Sequence, residues 1–103
     1  MIRRESGRIV VSGPVTLANV AAVLEEGRRH LEEGVQTVDL GEVTKMDSSL
    51  VAAMLAWLRD ERRRGRELVF VNVPESLRTI ARLYGLDGLI PVRETLREPA
   101  ASR

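Results

Sequence analysis

The strongest constraint on this chain is an alternation. Short runs of β-branched and aliphatic residues, at 8–13, 35–40, 68–72 and 90–92, are separated by longer segments with helical apolar spacing. Those segments run over 17–33, from Ser48 to about Arg64, and from Val73-Pro74-Glu75 to Gly85. Strand, helix, strand, helix, strand, helix, strand implies a sheet with helices packed on it and right-handed crossovers where strands neighbour. In 103 residues this gives one compact α/β layer pair, with one face of the sheet incompletely covered.

Local chemistry sharpens the boundaries. Gly13-Pro14 closes the first run, and Pro14, lacking an N–H, belongs at an edge or in a loop. Ser6-Gly7 marks a turn, so residues 2–4 are expected to hairpin onto that run. Thr16 is read as the N-cap of the first helix, with Leu17, Val20, Leu24, Gly27 and Leu31 as its inward stripe. Gly27 costs about 1 kcal/mol in a helix interior and permits close packing on the sheet. Gly34 ends the helix as a C′ residue. Residues 41–46 are read as a crossing segment, and 68–72 as a central strand. Pro74 suits the first turn of the last helix, whose inward stripe is Leu77, Ile80, Ala81 and Tyr84, widened by Leu83. Pro91 makes the last strand an edge or a bulge. The domain is placed at 8–92, with 93–103 as a partly disordered tail.

Composition excludes several functions. Sixteen Lys plus Arg against fifteen Asp plus Glu give a net charge of +1, so there is no electrostatic case for nucleic acid. Aromatics are 3%, so the core must be aliphatic. No cysteine is present, which removes disulfides and thiolate metal sites. No run approaches the roughly 20 apolar residues of a membrane span, and the default location is cytoplasmic. Phosphate-loop and dinucleotide glycine motifs are missing. His30, the sole histidine, lies in a charged helical segment and is read as a surface residue. Asp39 and Asp47 do not by their spacing make a metal site. No catalytic residue, cofactor or metal is expected. Arg62 to Arg66 is read as the solvated basic end of the second helix.

The informative stretch is Val43-Thr44-Lys45-Met46-Asp47-Ser48-Ser49-Leu50. Asp47 or Ser48 can cap the following helix, which places two hydroxyls at its positive end. On that helix Val51, Met54, Leu55 and Leu58 are assigned to the sheet. Ser49, Ala53, Ala56 and Asp60 lie nearly opposite, with Ala52 nearby, and Trp57 and Leu50 flank the core face. The outer side therefore reads as a flat small-residue surface suited to a partner helix. The residues alone leave two readings open: a cap, or a cap that is also a docking and regulatory site.

The motif Val43-x-x-Met46-Asp47-Ser48-Ser49, between a Val-Asp-Leu strand and an aliphatic helix, resembles the STAS family (sulfate transporter and anti-sigma factor antagonist domains). That resemblance implies a small mixed sheet of four or five strands with helices mainly on one face, and a non-enzymatic protein that binds protein. Two branches compete. In anti-sigma factor antagonists the motif is Asp-Ser-Ser-Gly and an anti-sigma factor kinase phosphorylates the second serine, here Ser49. Leu50 stands where their glycine is usual. In the MlaB-like branch, the small subunit of phospholipid transporters, Ser48 matches a residue implicated in binding the ATPase subunit of the ABC transporter. The segment Thr79-Ile80-Ala81-Arg82-Leu83-Tyr84-Gly85-Leu86 resembles that branch's ending and favours it. The expected partner is thus the ATPase subunit, alternatively the kinase, with membrane contact only through the transporter complex. The expected partner-binding residues are Asp47, Ser48, Ser49, Leu50, Ala52, Ala53, Ala56 and Trp57; Ser49 and Ser48 are the expected phosphorylation sites.

Overall fold

A computed structural model describes residues 1–86 and 88–93. The rest of the expected tail and its Leu96 lie outside the described residues. The elements are β1 (Ile2–Glu5), β2 (Arg8–Val15), α1 (Val20–Glu32), β3 (Thr37–Met46), α2 (Ser48–Arg63), β4 (Val69–Val71), α3 (Glu75–Leu83) and β5 (Val92–Arg93). They form one five-stranded mixed sheet in the order β1-β2-β3-β4-β5. β1 is antiparallel to β2, and the other pairs are parallel, as crossover helices require.

The hairpin expected at residues 2–4 forms. Ser6 and Gly7 both take positive φ, 52° and 80°, the backbone of a tight two-residue turn. β2 runs two residues past Gly13. Pro14 is tolerated because the β1 register ends at Ile2↔Val11, so nothing on that side needs its N–H. A register shift between Gly13 and Pro14 accommodates it against β3.

β3 is the central strand and far longer than its apolar run. Residues 41–46, expected to cross, remain paired to β2 as far as Val15↔Met46. β4 is a shorter inner strand, and β5 holds only two residues; Ile90 precedes it, buried.

All three helices share one apolar cluster with the sheet residues Ile9, Val11, Val38, Leu40 and Phe70. Strand alternation sends Val10, Asp39 and Val71, which are cross-strand neighbours, to the other face. There the Asp39 carboxylate accepts from Gly41 N–H at 2.8 Å and Asn72 Nδ2 at 3.1 Å and meets Arg8 Nε at 3.3 Å. Its role is structural: it ties β2, β3 and the exit of β4 together.

Two helices depart from expectation. α1 begins at Val20, not Leu17, because Asn19 and Thr16 build a turn first: Asn19 Oδ1 accepts from Thr16 N–H, and Thr16 O accepts from Asn19 and Val20. Leu17 therefore stands 79% exposed outside the core, and Val23 takes its place inside. On α3, with Pro74 as N-cap, Leu77 and Ala81 are buried, whereas Leu83 and Tyr84 are 78% and 61% exposed. Leu83 lies on a different face of the helix from Leu77 and Ala81, and Tyr84 is its C-cap, beyond the last helical residue.

Gly27 packs on α2 rather than on the sheet. A Cβ there would lie 2.5 Å from a Trp57 ring carbon. Trp57 is fully buried and its Nε1 donates to Leu24 O at 3.0 Å. The basic end of α2 is also less solvated than its composition suggests. Glu61 is fully buried, paired with Arg64 and with Arg66 Nε at 3.2 Å, and Arg66 donates to Leu31 O. His30 is half-buried beside Arg4, with Nδ1 3.0 Å from its guanidinium.

Candidate functional site

The β3–α2 junction concentrates the polar groups that the motif anticipated. β3 delivers the chain at Met46, and Asp47 (φ −133°, ψ −171°) is the extended N-cap of α2. Its Oδ1 accepts the Ser49 N–H at 2.9 Å and also the Ser49 hydroxyl. Its Oδ2 accepts the Leu17 N–H at 3.0 Å. One carboxylate thus caps α2, fixes the Ser49 rotamer and pins the β2–α1 turn. The Ser49 hydroxyl, followed by the Leu17 and Ser49 amides, holds the Asp47 carboxyl below the usual carboxylate range.

The two serines differ. Ser48 is exposed, and no hydrogen bond from its side chain is present among the described residues. Ser49 is half-buried and oriented by Asp47. Ala52 is exposed and Ala56 half-buried, one helical turn apart. Together with Asp47 they make the accessible part of the expected docking surface.

Three expected contact residues are not on that surface. Leu50 and Trp57 are fully buried and Ala53 is 2% exposed. α2 is enclosed by the sheet on one side and by α1 on another: α1 approaches through Gly27, and its backbone receives the Trp57 N–H. Leu55, assigned to the sheet face, is only half-buried. The helical count finds the small residues but not the helix packed beside them, which the Trp57 contacts mark.

Among the described residues no base other than the Asp47 carboxylate is recorded beside either serine, and no cluster of three potential metal ligands occurs. Sequence reading missed the Asp47–Leu17 bond. The only hint in the sequence is Thr16, whose hydroxyl suits a turn as well as the N-cap assigned to it.

The family model "Mlab, STAS domain" matches residues 2–91. Solved structures agree in fold. An anti-sigma factor antagonist described as putative, from Thermotoga maritima, superposes with a TM-score of 0.76 at 15% identity, covering 99% of this chain and 92% of that one. An anti-sigma factor antagonist from Mycobacterium paratuberculosis gives 0.74 at 19% identity, with 99% and 90% covered. The anti-sigma factor antagonist SpoIIAA in its unphosphorylated form gives 0.68 at 17%, with 100% and 93% covered. The chain belongs to the STAS domain family, whose members are non-catalytic protein-interaction modules.

Proposed function

We propose that this protein acts in the cytoplasm as an anti-sigma factor antagonist in a partner-switching pathway, with an anti-sigma factor kinase as partner and Ser49 as the regulated residue. The observation that carries this reading is the half-buried Ser49 hydroxyl, held on the cap carboxylate at the start of α2 with exposed Ser48 beside it. The likeness in fold to antagonists, one of them described by its phosphorylation state, supports it.

The chemistry is local. A phosphate on Ser49 adds about −1.5 to −2 charges and removes the hydroxyl proton now donated to Asp47. The new charge repels the Asp47 carboxylate, while the amides and dipole of the α2 N-terminus attract it. The helix survives, and the surface a partner meets changes sign and shape. Incubation with a cognate kinase and ATP should add one phosphate by intact mass, on Ser49 in the parent and in Ser48→Ala but not in Ser49→Ala. A chain that neither gains phosphate nor binds the kinase refutes the proposal.

A second reading has its own support. The matching family model is described by the name Mlab, and exposed Ser48 and Ala52 offer a contact face. In this reading the chain binds the ATPase subunit of an ABC phospholipid transporter. Co-purification with that subunit, lost in Ser48→Arg and Ala52→Arg but kept in Ser49→Ala, distinguishes it from the first.

A further inference from the structure

β4 leaves β3 early. Their pairing runs only from Thr37↔Val69 to Asp39↔Val71, while β3 continues to Met46. β2 lines the opposite side of that extension. The Asn72 side chain, bonded to Asp39, fills the notch at Gly41, where a Cβ would stand 3.1 Å from Asn72 Cβ. Beyond the notch, residues 43–46 have no strand on the β4 side among the described residues. An open edge of this kind presents backbone donors and acceptors to another strand.

α3 forms the facing wall. Ser76, Thr79, Ile80 and Leu83 are spaced three and four apart and share one helix face. The first three line a groove of about 570 Å³ against residues 43–46. Val43, Met46 and Ile80 are only half-buried there, and Leu83 continues the strip 78% exposed. At the rim Lys45, the chain's one lysine, is exposed and has no ion-pair partner among the described residues.

We propose that this groove binds an extended segment of a partner protein, which adds as a strand to residues 43–46, lays apolar side chains on Ile80 and Leu83, and sets an acidic side chain at Lys45. Main-chain hydrogen bonds supply affinity, and every second side chain supplies selectivity. A helix has no free backbone groups to offer the edge. A second copy pairing edge to edge is disfavoured because it would bring two exposed Lys45 ammonium groups together. The site is built from residues 43–46 and α3 and needs no phosphorylation of Ser48 or Ser49.

The test is selection of a random short-peptide phage library on the full chain, followed by amide hydrogen exchange with the enriched peptides made synthetically. Enriched sequences should alternate apolar residues with an acid and slow exchange at residues 43–46. Leu83→Glu, at an exposed position that leaves folding intact, should weaken binding at least tenfold, and Lys45→Glu should remove the preference for acid. Failure to enrich any sequence, protection elsewhere on the molecule, or protection of 43–46 by self-association without peptide each overturns the proposal.

Discussion

Gly27→Ala isolates the contact that seats α1 on α2. An added Cβ would stand 2.5, 2.7 and 2.9 Å from three atoms of the Trp57 indole. Real Cβ contacts do not come that close, so one partner must move. Trp57 is poorly able to: it is fully buried, and its Nε1 is held by Leu24 O. Alanine in a helix interior gains about 1 kcal/mol over glycine. Overpacking a well-filled core costs about 1–3 kcal/mol, and a clash with a tethered ring belongs at or above the top of that range. The net expectation is a loss of about 2 kcal/mol, or about 10 °C in Tm for a domain of this size. Trp57 is the only tryptophan, so its fluorescence in urea reads the same contact that the substitution disturbs. In a Trp57→Leu background, followed by circular dichroism, the cost of Gly27→Ala should vanish, with a coupling of about 2–3 kcal/mol. A Gly27→Ala protein as stable as the parent, or a cost unchanged by Trp57→Leu, refutes the reasoning.

Further expectations follow from single groups. The Asp47 carboxyl is held below its ordinary range, so it stabilises the fold above that range, and the contribution fades as pH falls through the lowered value. The stability difference between parent and Asp47→Asn should therefore be flat above about pH 5 and shrink in more acid solution; a difference independent of pH down to unfolding contradicts this. Arg66→Met leaves buried Glu61 with Arg64 alone and should cost about 2 kcal/mol in chemical denaturation, whereas the double change with Glu61→Met should cost less than the single one. Leu17→Ser should shift stability by no more than about 0.5 kcal/mol, because the side chain is exposed.

The alternation of periods carried most of the fold. The succession of elements, the parallel crossovers and the hairpin at Ser6-Gly7 all rest on local signals: β-branched runs, glycine turns and helical spacing. Lengths were harder. The apolar run predicts a strand that ends at Leu40, but residues 41–46 remain strand because β2 pairs with them, and a polar strand with a half-solvated face has no apolar signature to announce it. The period carries α1 back to Leu17, because leucine fits it, yet Asn19 Oδ1 and Thr16 O close a turn there first. Such competition between a side chain and the backbone is visible only in three dimensions.

The candidate site shows the same division more sharply. That Asp47 would cap α2 and Ser49 would sit near its start was legible, because a cap is a contact between residues two positions apart. That Asp47 would also accept from Leu17 was not, because that contact spans thirty residues. Periodicity names the small residues of α2 but not their neighbours. Trp57 is covered because Gly27 lets α1 come close, and Ala53, one turn before it, is buried too, so the pair Gly27 and Trp57 bears on how much of α2 is left for a partner. What remains accessible is the N-terminal corner formed by Asp47, Ser48, Ser49 and Ala52. A charge added at Ser49 falls on the carboxylate that joins α2 to the β2–α1 turn, so any partner that contacts both sides of this corner is sensitive to it.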